Sequence, residues 1–239
     1  MSVGRRPYAG PVLAGAHNNA QWCDLVCRSH EIPTRFDDDL WVSLRRSPHW
    51  YPDAVTLRPG VPEEAVLAAV DVSAGCSVKD SFADLDLAPA GFRVLFEAHW
   101  VYRPPRPGRP PARPGGPDGL DWREVTTSEQ MQAWIAAHGG GGNLRPTLLD
   151  HPLVTFLGAF EGDAVIAGAV THRSPTVLGV SNVFGVGLEP AQVWPGAVAA
   201  VAARHPGEPL VGYEQGESLE AARAAGFAAA GPLRVWVDD

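Results

Sequence analysis

Residues 103–119 read RPPRPGRPPARPGGPDG and hold seven prolines, four glycines and four arginines. Proline locks φ and removes a backbone donor, so neither a helix nor a central strand survives such a run. The 239-residue chain is therefore expected as two packed stretches of about 100 and 120 residues, joined by a semi-rigid spacer. A polyproline-like spacer of this length reaches on the order of 50 Å, so the two stretches are free to pack against each other.

Hydrophobic residues make up 45% and charged residues 19%. That supplies a sizeable core and excludes a disordered chain, a collagen-like chain and a coiled coil. No stretch approaches the roughly 20 apolar residues that span a bilayer. The opening MSVGRRPYAGPVLAGAHNN has only a short apolar run, broken by Gly and Pro. Residues 1–17 are read as a flexible leader and not a secretory signal, which makes a cytoplasmic location the expectation.

The chain has 27 acidic and 19 basic residues, a formal net of −8. Through residue 120 the counts are 14 and 13, and beyond it 13 and 6, so the second stretch carries −7 of the total. An acidic surface repels phosphate backbones and anionic lipid heads. Nucleic acid and membrane are thus poor partners; a small molecule is the better one, with the chain a monomer or homodimer. Lys79 is the only lysine, and with many Ala, Gly and Pro this usage points to a GC-rich, bacterial genome.

Three cysteines cannot make a disulfide framework. Cys23 and Cys27 fall on one face of what reads as a helix, and Cys76 stands alone. His17 and His30 do not complete a finger-like ligand spacing, so buried thiols are expected and a metal is not. The acidic run at 37–39 reads as a solvated loop. There is no GxSxG, HExxH, Walker loop or CxxC, so those chemistries have no motif to rest on.

In the second stretch, Asp121–Val125 reads as a strand and Ser128 as the N-cap of a helix to about His138, with Met131, Trp134 and Ile135 on one face. After the break GGGGN come three strand-like runs, VTFLGAF, AVIAGAVTH and TVLGVSNVFGV, the first two joined by the hairpin signal EGD. Pro195 is placed in the first turn of a helix running to about Arg204. PLVGYE is a strand, SLEAARAAGF a helix closed by Gly226, and LRVWV a last strand.

This order, β-α-βββ-α-β-α-β, resembles the GNAT fold of N-acyltransferases across residues 120–239, most specifically in YEQGESLEAARAAGFAAAGPLRVWV. The first stretch, 18–102, looks like an abbreviated copy of its second half: strands WVSLRR and AVTL, helix PEEAVLAAV, strand CSVKDSF, then FRVLFEAHWVYR. Ala90-Gly91-Phe92 before Trp100-Val101 parallels Ala225-Gly226-Phe227 before Trp236-Val237. The expected fold class is α/β (α+β), two GNAT-like lobes with a mixed, mostly antiparallel sheet flanked by helices.

The resemblance implies an acyl-CoA co-substrate, acetyl-CoA in the family's usual chemistry, whose acyl group passes to the amine of a small molecule. It also implies a phosphate loop after the fourth strand, bordered here by Phe184, Gly185, Val186, Gly187 and Gly196. Laid without gaps on the family's Arg/Gln-x-x-Gly-x-Gly/Ala loop, Val186–Gly196 keeps only Gly196. Ala191, Gln192 and Trp194 replace motif residues, Glu189 adds negative charge, and Pro190 and Pro195 lack N–H groups. The family's acidic tyrosine falls on Ala222, so Tyr213 is the substitute.

Glu214 follows Tyr213 at a strand end and is read as the general base. Asn182, inside VLGVSNVF, is a candidate to orient a carbonyl, and His172 a candidate cleft residue. Lys79 and Asp80 are placed beside the substrate from the first lobe. Two alternatives stay open: another acyl donor such as an aminoacyl-tRNA, met by Arg45, Arg46 and the spacer arginines, or a non-catalytic binding module that kept the fold.

Overall fold

The computed structural model describes residues 10–105 and 119–238. Residues 1–9 and 106–118, on which most of the leader and spacer readings fall, lie outside the described residues. The chain opens with α1 (Pro11–Ser29), β1 (Thr34–Phe36), β2 (Leu40–Ser43), β3 (Ala54–Thr56), α2 (Glu63–Ala69), β4 (Ser77–Asp80) and β5 (Arg93–Arg103). It continues with β6 (Asp121–Glu124), α3 (Ser128–His138), β7 (Val154–Glu161), β8 (Ala164–Arg173) and β9 (Leu178–Gly185). It closes with α4 (Pro190–Arg204), β10 (Leu210–Glu214), α5 (Gly216–Ala224) and β11 (Ala228–Val237).

The strands form one sheet in the order β1-β2-β3-β4-β11-β5-β10-β9-β8-β7-β6. Neighbours run antiparallel except β3 with β4 and β9 with β10. The two stretches of chain are interleaved at its centre. β5 leaves its own neighbour β4 and pairs with β10, while β11 pairs with β4, and β5 and β11 lie against each other from Tyr102↔Ala228 to Arg93↔Val237. A bare tandem would have two separate sheets; exchanging the last strands fuses them and hides two edges that would otherwise expose unpaired donors and acceptors.

The sequence parallel at the two AGF segments has a common geometry. Gly91 and Gly226 both take left-handed φ, 93° and 96°. Phe92 N–H bonds Leu87 O and Phe227 N–H bonds Ala222 O, each five residues back, and both phenyl rings are buried. Each glycine ends a helical turn where a Cβ would be strained, and each Phe then anchors the start of an exchanged strand.

Residues 10–17 are not loose. α1 begins at Pro11, a residue whose fixed φ suits the first turn, and buries Ala20, Cys23 and Cys27 against Trp41, Val55 and Leu57, and Ala16 against Ala98, Trp100 and Leu233. Trp22 and Val26 of the same helix join Met131, Trp134 and Phe156. One helix thus lies over both halves of the sheet. On the opposite face α4 and α5 cover Leu178, Val180 and Leu210, and α2 covers Leu40, Val42 and Val78.

Two helix starts differ from the sequence reading. Thr127, not Ser128, caps α3, because its hydroxyl accepts from Gln130 N–H while the Gln130 side chain reaches back to Thr127 N–H. α4 starts at Pro190, so Pro195 lies inside it; the pair Glu189 and Gln192 closes that earlier start in the same reciprocal way. The EGD hairpin forms as read, with Glu161 facing Ala164 across Gly162 at φ 61°.

Candidate functional site

β9 and β10 are parallel neighbours only at Leu178↔Leu210 and Gly179↔Val211. Beyond that they part, because β9 carries a bulge: its register against β8 shifts between Gly168 and Val170, and Asn182 sits at φ 51°. Gly179–Val183 and Val211–Glu214 floor a cavity of about 300 Å³ in the gap. α1 roofs it with Gly15, Asn18, Asn19 and Trp22. Gly15 is required there, since a Cβ would meet the Trp100 ring at 2.7 Å.

Five of the residues read from sequence line this one cavity: Lys79, His172, Asn182, Tyr213 and Glu214. Glu214 ends β10 and has no hydrogen-bond or ion-pair partner among the described residues. Burial pushes its carboxyl up to about 8, since desolvation disfavours the charged form. A carboxyl with that value exchanges protons near neutral pH, as a general base requires.

Lys79 reaches in from β4. Its ammonium donates to Asn19 Oδ1 at 2.9 Å and lies 4.2 Å from the centre of the Tyr213 ring. The edge of that ring also meets Trp100 at 5.7 Å, so Tyr213 is held on two sides. Asn182 Nδ2 donates to Ser181 Oγ at 3.0 Å. His172 is 3% exposed, and burial pushes its imidazole down to about 4, so it is neutral; its Nδ1 has no partner.

Asp80 is placed elsewhere. It neighbours Lys79 on a strand, where side chains alternate faces. Its carboxylate accepts Phe82 and Leu85 N–H in the turn after β4. It shapes that turn and does not border the cavity.

Sequence reading missed the α1 wall, and with it Asn18, whose Nδ2 holds His172 O at 3.0 Å beneath Gly179. The spacing Ala16, Ala20, Cys23, Cys27 was the available sign of a close-packed helix. It also missed Trp50 and Tyr51, on a loop fixed by Asp53, whose carboxylate takes Ser47 N–H, Ser77 N–H and the Arg46 guanidinium.

The fold implies an acyl-CoA donor with its pyrophosphate at the N-terminus of α4. The residues there do not fit it. Pro190 offers no N–H, the Gln192 N–H already bonds Glu189 O at 2.9 Å beside the Glu189 side chain, and Val186 N–H bonds Ile166 O at 2.8 Å. A Cβ on Gly185 would meet Val193 at 2.6 Å, so the strand exit is packed onto α4. Phe184 is spent in an aromatic cluster with Trp134 and His138, Gly187 stands at φ 66°, and Gly196 is buried within the helix. The chain's own carboxylate sits where an anion would go.

No protein-family model and no curated protein matches the chain. Solved structures do. A GCN5-related N-acetyltransferase from Kribbella flavida is similar at 17% identity, covering 94% of this chain and 95% of that one, with a TM-score of 0.61. A GNAT-family protein from Novosphingobium aromaticivorans is similar at 17% identity, covering 98% and 100%, with a TM-score of 0.60. A third, a GCN5-related N-acetyltransferase from Sphaerobacter thermophilus, has 12% identity, coverage of 95% and 93%, and a TM-score of 0.51. With this splayed strand pair, this bulge and these likenesses over nearly the whole length, the chain has the GNAT fold.

Proposed function

We propose that the chain is an acyltransferase that moves an acyl group onto the amine of a small molecule bound in the cavity between β9, β10 and α1. The observation that carries this is Glu214: a partnerless carboxyl in the cavity with its titration raised to about 8. An alkylammonium is protonated at neutral pH and cannot attack. Glu214, ionised, takes its proton; the freed amine then attacks the acyl carbon, a C–N bond forms as the C–S bond to the leaving thiolate breaks, and the thiolate takes the proton that the nitrogen then sheds.

In this reading Asn182, on the bulge, orients the acceptor, and neutral His172 closes the far wall. Tyr213 is a wall of the same pocket and holds Lys79 on its ring face. The lobes at 18–102 and 120–239 are both needed, because Lys79 comes from one and Glu214 from the other. The closed α4 terminus favours a second reading, a binding module that kept the fold and lost the chemistry.

Thiol release separates the two. Acetyl-CoA and S-acetyl-pantetheine are supplied in turn with the twenty standard amino acids and their decarboxylated amines. Amine-dependent thiol release, abolished in Glu214→Gln with the melting temperature within a few degrees, supports transfer. Full activity in Glu214→Gln would remove Glu214 from the mechanism, and no release from either donor would leave the binding module.

A further inference from the structure

Lys79 is a buried cation with no anion. The residue is only 4% exposed, and of the three N–H donors of its ammonium one is used, to Asn19 Oδ1 at 2.9 Å. The face of Tyr213 supplies a second, diffuse attraction at 4.2 Å. No carboxylate lies within ion-pair distance of it among the described residues. Charged groups taken out of water are normally paired, because the lost hydration is large.

Four arginines show the contrast: Arg46, Arg58, Arg173 and Arg234 each rest on a carboxylate. The anion that Lys79 lacks is most simply one that arrives with the ligand. We propose that the cavity takes an amine that also carries a carboxylate, a free α-amino acid, with the carboxylate on Lys79 and the amine toward Glu214.

The chemistry narrows the anion to a carboxylate. Among the described residues no arginine and no helix N-terminus border the cavity, and those are the groups that gather around phosphate. One ammonium balances one carboxylate. The volume, about 300 Å³, is at the small end for ligand pockets and suits a molecule of amino-acid size. The walls are aromatic, with Trp22, Trp100 and Tyr213, so aromatic or large apolar amino acids are the best-matched members.

This inference rests on the cavity being the acceptor pocket of the proposed transferase, but its test needs no donor. Binding of L-tryptophan, L-phenylalanine and L-leucine is measured by calorimetry against tryptamine, phenethylamine and isoamylamine, which lack only the carboxylate. At least one amino acid is expected to bind tenfold or more tighter than its decarboxylated partner. In Lys79→Gln that ratio is expected to fall to near one, and in Lys79→Arg to be partly kept.

Equal binding within each pair, no binding of any amino acid, or an unchanged ratio in Lys79→Gln would overturn the proposal. Thermal melting of the variants shows whether they are folded; if Lys79→Gln is not, Lys79→Met serves. A carboxylate preference with no amine-dependent thiol release would leave the carboxylate site standing and refute transfer. Transfer that needs Glu214 yet ignores the carboxylate would do the reverse.

Discussion

The ammonium of Lys79 stands 4.2 Å from the centre of the Tyr213 ring, although two strands, β11 and β5, separate the strands that carry them. Tyr213 is backed by an edge contact with Trp100, its partner on β5, at 5.7 Å between ring centres. The charge is thereby carried into the centre of the sheet face without a counter-ion. Lys79→Met keeps most of the stem's apolar packing and removes the buried charge. Its melting temperature is expected to hold or rise; a loss above about 2 kcal/mol in urea unfolding would show that the bonds to Asn19 and Tyr213 outweigh desolvation.

Glu214 predicts a pH dependence of stability. Its carboxyl titrates near 8 in the folded chain against 4.5 ordinarily, so between those values the folded state holds a proton that the unfolded state has released. Stability therefore falls as pH rises from about 4.5 and levels off above about 8. Each pH unit between the two values costs about 1.4 kcal/mol at most, and solvent access to the cavity trims the total to roughly 3 kcal/mol. Urea unfolding of wild type and Glu214→Gln at pH 5 and pH 9 checks this: the variant is expected to lose the decline.

In the proposed reaction the same titration sets the rate. If Glu214 is the base, kcat/KM of the wild type should rise with pH through about 8 and flatten above it. A flat profile across that range would assign the proton transfer to another group.

Gly179 lies under the amide of Asn18, and a Cβ there would come within 2.0 Å of Asn18 Oδ1. Gly179→Ala must push α1 away from the gap between β9 and β10, breaking the bond from Asn18 to His172 O. A loss of about 1–3 kcal/mol is expected, with weaker ligand binding in the cavity, read by calorimetric melting and ligand titration. Gly187→Ala, at an exposed loop with open space around it, should affect stability only through its φ and leave the cavity unchanged.

The self-capped start of α4 predicts indifference to the adenosine phosphates. Affinities for CoA and for pantetheine should agree within about threefold, since Pro190 has no N–H, the Gln192 and Val193 N–H groups already bond Glu189 O, and the Glu189 side chain adds negative charge there. A preference of tenfold or more for CoA would place a phosphate site elsewhere on the chain.

Much of the fold was legible along the chain. The alternation and spacing of apolar residues, the EGD turn and the two AGF stops are local signals, each fixed by a period of two or 3.6 or by one left-handed residue. Glu214, Tyr213, Asn182, His172 and Lys79 were legible as polar residues at strand ends, but Asp80 was not separable from Lys79. Which face a strand residue takes depends on register against β11, and register is a pairing between distant segments.

The sequence alone determined most of the strands and helices, that a proline-rich run separates two stretches of them, and that the α4 start lacks the residues of a phosphate loop. Only the tertiary structure decided that β5 and β11 trade places, that α1 is a roof and not a leader, and that Lys79 meets Tyr213. Those outcomes rest on contacts between residues far apart in the chain, such as Asn18 and His172, 154 positions apart. Burying shared apolar surface across both halves selects them, and no local propensity carries that information.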